Sequence, residues 1–343
     1  MTDPMTRPAT ECPRLLRIGL RIVLNAAFLG AGIATIAYFL VDPVRVDRPA
    51  PPNPGTNAIW IQHQWFTGEK DEKAAQALGE NLQRLGFRYI FAHVGPLNEH
   101  GGIPPYDPDQ ARRFLDGVRR SAPGTRTLAW LGGKNKAWGG KVDLADPQVR
   151  LAAQERCRDL LALGFDGIHL NIEPVADGDA DFLGFLETIR EAVGDRILSV
   201  AVMKQREWTF PHAWHQKWFW GGEYHRKVAA LADQIVVMAY DTAIPLAKVY
   251  SWFVREQTVR MTQLAAESGN PNARVLIGLP TYDYHRLTHD PSAENLQNGL
   301  PGVLAALQDR RTRLGFFEGI AIYAHWVTSD EEWQDYRRRW PPP

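Results

Sequence analysis

The sequence predicts an α/β fold, a single (β/α)8 barrel of the TIM type preceded by one N-terminal transmembrane helix. Three observations carry this expectation. Short apolar runs alternate with amphipathic segments along most of the chain, a charge-free stretch lies near the N-terminus, and a proline-rich segment separates the two. Strands alternating with helical patterns imply βαβ units and a parallel sheet. Eight such units in about 285 residues match a closed barrel in size and count.

The N-terminal part is read first. Residues 22–41, IVLNAAFLGAGIATIAYFLV, carry no charge. A helix of that length, at about 1.5 Å per residue, crosses roughly 30 Å of hydrocarbon. Arg14, Arg17 and Arg21 precede it, so the positive-inside rule leaves residues 1–21 in the cytoplasm and exports the remainder. A cleavable signal peptide has a shorter apolar core and a small-x-small cleavage site. Neither stands out, so the span is read as an uncleaved, single-pass anchor in the cytoplasmic membrane. Residues 42–57 hold Pro43, Pro49, Pro51, Pro52 and Pro54 and read as a semi-rigid linker. The barrel is expected over residues 58–343, facing the extracytoplasmic side.

The eight runs cover residues 59–63, 88–94, 127–131, 167–172, 197–203, 234–240, 275–280 and 319–323. Between the fourth and fifth, Phe182, Phe185, Leu186, Ile189 and Val193 recur at helical spacing on one face. Leu85-Gly86-Phe87, Leu163-Gly164-Phe165 and Leu314-Gly315-Phe316 each stand shortly before a strand. They read as three helix exits closed by a left-handed glycine. A doubly wound open sheet is the alternative fold, but no GxGxxG follows the first strand.

Composition narrows the function classes. Lys+Arg and Asp+Glu are both 39, a formal net charge of zero, which argues against a nucleic-acid partner. The two cysteines, Cys12 and Cys157, form no CxxC pair, so a cysteine-based zinc site is excluded and no cofactor is implied. Cys12 precedes the apolar span and Cys157 lies in an expected helix, so no disulfide is expected between them.

In a barrel of this kind the chemistry sits at the C-terminal ends of the strands. The strongest signal there is Asp166-Gly167-Ile168-His169-Leu170-Asn171-Ile172-Glu173. Alternate side chains of a strand share a face, so His169, Asn171 and Glu173 point one way and the three aliphatic residues the other. Three polar groups in line are costly to bury without partners. Glu173 comes last, beside Pro174, where the strand must end. A hydrogen-bonded polar layer with no chemistry is the bland alternative.

This segment resembles the fourth-strand signature of glycoside hydrolase family 18, Asp-Gly-x-Asp-x-Asp-x-Glu. Asp166, Gly167 and Glu173 match it, while His169 and Asn171 replace the two inner aspartates. Trp130-Leu131-Gly132-Gly133 is similar to the family's Ser-x-Gly-Gly, Met238-Ala239-Tyr240-Asp241 to its Met-x-Tyr-Asp, and Gly278-Leu279-Pro280-Thr281-Tyr282 to its Gly-x-Pro-x-Tyr. On the eighth strand Tyr323 falls where the family usually has a tryptophan, with Trp326 close behind. The resemblance spans residues 59–326.

The resemblance implies cleavage of glycans containing 2-acetamido sugars by a retaining, substrate-assisted route that needs one protein carboxylate. Glu173 would be the acid/base, its pKa raised by burial away from any cation. Asn171 would accept the acetamido N–H, as in the Asn-x-Glu of glycoside hydrolase family 85, which this chain also resembles. Tyr240 would donate to the acetamido oxygen and Asp241 would hold the sugar. His169 is carried over as a substrate contact, although a satisfied interior histidine is the favoured reading of it. Tyr282, Tyr323 and Trp326 end strands as sugar-binding aromatics. Trp208 and Trp214 join them from the crowd Trp208, Phe210, Trp214, Trp218, Phe219, Trp220 and Tyr224, about half of which reads as local core. Arginine far outnumbers lysine, the usage of a GC-rich bacterial genome, which points to a cell-envelope glycan.

Two rivals remain. His63, His93, His169, His285 and His325 stand at or near strand ends and could hold a metal, but Gln62-His63-Gln64 lacks the His-x-His of metal-dependent barrels. A catalytically silent, carbohydrate-binding barrel is the other; such forms often lose the terminal glutamate, which this chain keeps.

Overall fold

The computed structural model describes residues 48–206 and 218–343, together with residues 22–27, 29–32 and 35. Contacts divide the chain into residues 1–44 and 45–343. In the first unit, residues 22–27 and 29–32 are helical and Ile22, Val23, Leu24 and Leu29 are exposed. Among the described residues no helix is long and apolar enough to cross a membrane. Much of the expected anchor, residues 22–41, lies outside the described residues, as do Cys12, Trp208 and Trp214.

The second unit is a closed barrel of eight parallel strands, β1 (Asn57–Ile61), β2 (Phe87–Pro96), β3 (Arg126–Lys134), β4 (Gly167–Glu173), β5 (Ile197–Val202), β6 (Gln234–Met238), β7 (Arg274–Pro280) and β8 (Phe317–Tyr323). Each pairs with its neighbours in chain order, and β8 closes onto β1 through Ala58 opposite Ala321. Each strand is followed by a helix: α1 (Glu72–Arg84), α2 (Pro108–Ser121), α3 (Pro147–Leu163), α4 (Ala180–Val193), α5 (Gly222–Leu231), α6 (Ala247–Glu267), α7 (Leu296–Gln308) and α8 (Asp330–Arg339). All eight sequence-predicted runs are barrel strands.

Local chemistry explains the helix starts. Asp71, Asp107, Asp146, Asp179, Asn295 and Ser329 each accept a backbone N–H from the first turn of the helix they precede. Such a cap stabilises a helix by about 1 kcal/mol. At the other ends, Gly86 and Gly164 take φ of 74° and 124° just past α1 and α3. The third Leu-Gly-Phe does not behave this way. Leu314–Phe316 is a separate 3-10 turn ahead of β8, and α7 has already ended at Gln308.

The pleat sorts side chains into two layers. Ile168, Leu170 and Ile172 of β4 face outward and pack with Phe182, Phe185, Leu186 and Ile189 of α4 in the core between strands and helices. Burying each such aliphatic side chain contributes about 1.5–3 kcal/mol. The barrel interior holds Trp60, Phe91, Leu128, Trp130, Val236 and Leu276.

The N-terminal face is tied by polar contacts. Asp166 accepts the Thr127 N–H at 2.9 Å and meets Arg126 at 3.2 Å. A Cβ on Gly167 would lie 2.3 Å from the Ile197 carbonyl, so β4 and β5 meet there only because residue 167 has no side chain. From the expected linker, Arg48 donates to the carbonyls of Leu307 and Asp309, and buried Asn53 donates to that of Trp340. This part of the proline-rich segment is therefore docked on the barrel, and the first strand already begins at Asn57.

Candidate active site

His169, the first polar residue of β4, lies in a layer beneath the mouth and has no accessible surface. Its Nε2 accepts the Trp60 indole N–H at 3.0 Å, so the ring proton sits on Nδ1 and is donated to Ser199 Oγ at 2.9 Å. Ser199 in turn donates to Gln234 Oε1 at 2.8 Å. Phe91 stacks on the imidazole at 3.8 Å between centroids. Burial pushes the His169 pKa down to about 3, so the ring is neutral. The substrate contact expected of His169 is corrected here: both nitrogens are engaged inside the core and the ring does not reach the mouth.

One layer higher the bonding is incomplete. Asn171, opposite Gly132 of β3, sets its amide beside Glu173, and its Oδ1 is buried with no partner among the described residues. Glu173 closes the strand and is half-buried. Burial raises its pKa above the ordinary glutamate value, and the Asp241 carboxylate adds to the rise. Lys204 and the neighbouring Asn171 amide act the other way. The expectation of a carboxyl with no cation nearby is thus also corrected.

Lys204 is a residue that sequence reasoning missed. It follows β5, is 3% exposed, and donates to the carbonyls of Tyr240 at 2.8 Å and Asp241 at 3.3 Å. Burial lowers its pKa, and Asp241, Glu173 and Glu294 oppose that shift. Its one sequence signal is its place directly after an apolar run, where a barrel keeps its chemistry.

Tyr240 and Asp241 follow β6. Tyr240 is buried, stacks on Tyr323 at 5.7 Å and meets Tyr282 edge-on at 6.1 Å. Burial holds its phenol far above the ordinary pKa, so it is a hydroxyl donor. Gly278 of β7 makes room for it: a Cβ there would lie 3.3 Å from the Tyr240 ring. Asp241 takes the left-handed conformation, φ 53°, and its Oδ1 accepts the Tyr282 hydroxyl at 2.8 Å. Behind it stand two further buried residues that sequence reasoning missed. His289 Nδ1 lies 3.7 Å from Asp241 and 3.5 Å from Glu294. Glu294 accepts the backbone N–H and hydroxyl of Thr242. They reach the site from the long connection after β7, where no periodic pattern marks them.

Tyr323 ends β8, its pKa pushed up to about 12 by burial, and half-exposed Trp326 meets it edge-on at 5.7 Å. Tyr282 stacks on Tyr284 at 4.7 Å. Of the aromatic crowd after β5, Trp220 and Tyr224 are core, bonded to the carbonyls of Val175 and Asp179. His63 caps a short helix, Gln64–Thr67, and does not end β1. Among the described residues no group of three or more His, Cys, Asp or Glu side chains is placed to hold a metal ion. Thus the structure gathers Glu173, Asn171, Tyr240, Asp241, Tyr282 and Tyr323 at one mouth and leaves Asp166, Gly167 and His169 below it.

Comparison with known proteins assigns the chain to a family. The profile of glycosyl hydrolases family 18 matches residues 68–338. The chain belongs to this family of glycosidases, which act on O-glycosyl bonds. No curated protein sequence matches it. Among solved structures it is similar to the Bacillus cereus spore cortex-lytic enzyme SleL, at 12% identity and a TM-score of 0.55, covering 88% of this chain and 77% of that one. A chitinase from Chromobacterium violaceum matches at 17% identity and a TM-score of 0.54, covering 82% and 98%. A class V chitinase mutant from Cycas revoluta, in complex with (GlcNAc)3, matches at 15% identity and 0.52, covering 83% and 97%. Identities this low speak for the fold alone.

Proposed function

We propose that this chain hydrolyses glycans containing 2-acetamido sugars, with retention, using the substrate's own acetamido group as nucleophile. The observation that carries the reading is the unpartnered Oδ1 of Asn171 beside the raised carboxyl of Glu173. A buried acceptor without a partner costs about 1–3 kcal/mol, and an acetamido N–H would satisfy it. Glu173, its pKa raised by burial, gives its proton to the leaving glycosidic oxygen. The acetamido oxygen, oriented by the Tyr240 hydroxyl, closes on the anomeric carbon as that bond breaks. Glu173, now ionised, takes a proton from the water that opens the cyclic intermediate, and so returns to its starting state. Asp241, fixed by Tyr282, holds the sugar, and Tyr323 and Trp326 offer it aromatic faces. The Cycas revoluta chitinase mutant, similar in fold, is in complex with (GlcNAc)3, which supports an oligosaccharide of this class.

The test is product analysis on chitin oligomers, peptidoglycan and N-glycan cores, with the wild type beside Glu173→Gln. The wild type should cleave at least one with retained configuration. The variant should bind but turn over at least about 10²-fold more slowly, the scale of a lost general acid–base. Near-wild-type turnover in the variant removes Glu173 from the mechanism. Wild-type binding with no cleavage makes the chain a carbohydrate-binding barrel.

We also infer that residues 22–41 anchor the barrel to the cytoplasmic membrane, facing outward, from the charge-free span and the arginines before it. Full-length chain should fractionate with membranes and resist cytoplasmic labelling, while a chain starting at Arg45 should be soluble and folded. Uncleaved full-length protein in the soluble fraction would contradict the anchor.

A further inference from the structure

Lys204 is a costly residue to bury. A charged amine loses several kcal/mol of hydration in a protein interior unless other groups compensate. Here its backbone is built into a platform. Lys204–Gln205 pairs with Phe219–Trp220, and Gln257 of α6 brackets Gln205, accepting its N–H at 2.7 Å and donating to its carbonyl at 2.9 Å. From that platform the side chain reaches across to β6, over the Phe219 ring at 5.7 Å, and gives two of its three donors to consecutive carbonyls, Tyr240 and Asp241. Those carbonyls flank the left-handed backbone of Asp241, a conformation that costs a non-glycine residue about 1 kcal/mol or more. On the far side of the same turn Glu294 holds the Thr242 N–H.

We propose that Lys204 is a positioning residue of this centre: it pins the Tyr240–Asp241 turn so that both side chains face the substrate, and it sets one fixed cation against the Glu173 and Asp241 carboxylates. This rests on the acetamido-glycan reading above. It also bears on Asn171. With an amide at position 171 the family's inner aspartate charge is absent, so Lys204 is opposed near the mouth by Glu173 and Asp241, with Glu294 behind. Ionised Glu173 is stabilised by Lys204, while Asp241 opposes its ionisation and the Tyr240 and Tyr323 phenols stay neutral. Removing the cation must therefore push the Glu173 titration upward and carry the alkaline limb of activity with it.

Two variants separate the parts. Lys204→Gln keeps a donor for the carbonyls and loses the charge; Lys204→Arg keeps the charge. The direct readout is the carboxyl titration of Glu173 by carbon NMR in protein without substrate, beside kcat and KM. Lys204→Gln should titrate at least about half a pH unit higher, lower kcat by about tenfold and leave KM within about threefold; Lys204→Arg should restore the titration. A folded Lys204→Gln with an unmoved Glu173 titration, or with unmoved kcat, overturns the proposal. If the wild type cleaves no acetamido glycan, the functional reading fails by itself. The NMR titration then decides the Lys204 proposal, and an upward shift in Lys204→Gln supports it.

Discussion

His169 and Asn171 stand two residues apart on one face of one strand, and both replace an aspartate of the family signature. The structure treats them in opposite ways. At His169 each nitrogen has its partner, an aromatic ring lies flat on the imidazole, and no surface is accessible. At Asn171 the amide lies beside Glu173, and its buried Oδ1 has no partner among the described residues. A saturated polar layer is architecture, because nothing in it can bind without breaking a bond already made. An open buried valence lowers stability and signals a missing partner. The difference separates the two substitutions better than their residue types do.

The largest effect that tests this contrast is at Asn171. Asn171→Ala removes the open acceptor and the amide beside Glu173 together, and turnover on acetamido glycans should fall by about 10² or more. Asn171→Asp keeps an acceptor and adds a negative charge beside the cationic intermediate, which that charge stabilises. It also resists ionisation of Glu173, so the alkaline limb of the pH–rate profile should move upward while activity stays within about tenfold of wild type. Substrates with a 2-hydroxyl in place of the acetamido should be inert. An Asn171→Ala variant as active as wild type, or efficient cleavage of 2-hydroxy glycans, would end the substrate-assisted reading. Asp241 and Asp283 would then be the carboxylates to examine.

The contrast also shows what a sequence can carry. Period-two alternation gives the facing of β4, and strand-end position gives Glu173, Tyr240 and Asp241, because these follow from pleat and topology. Whether an inward polar residue is satisfied depends on Trp60, Ser199 and Gln234, which lie on three other strands. Lys204 is illegible because its contact is to backbone carbonyls, which leave no residue-type signature. His289 and Glu294 are illegible because they reach Asp241 and Thr242 from a connection without regular structure. At the first strand, apolar content extends the reading to His63, where the backbone has already turned into a short helix.

The smaller test is at His169, and it should move stability and leave chemistry alone. Free histidine titrates near 6.5, whereas burial holds this one at about 3. Between those values the unfolded chain binds a proton at this residue that the native barrel does not. Stability therefore rises with pH across the window, falls as pH drops from about 6.5 toward 3, and is unaffected by this group above 6.5. The slope from one such histidine is about 1.4 kcal/mol per pH unit. His93, held at about 4, the buried His225 and the half-buried His325 contribute in the same direction, so the comparison must be between variant and wild type. His169→Gln can still accept from Trp60 and donate to Ser199 but cannot titrate. Denaturant unfolding between pH 6 and 4 should show a slope shallower by about 1.4 kcal/mol per pH unit, with similar stability at pH 7. Turnover should stay within about threefold, since groups that share no partners act nearly independently. A variant that keeps the wild-type acid slope but loses turnover would place His169 in the chemistry and erase its contrast with Asn171.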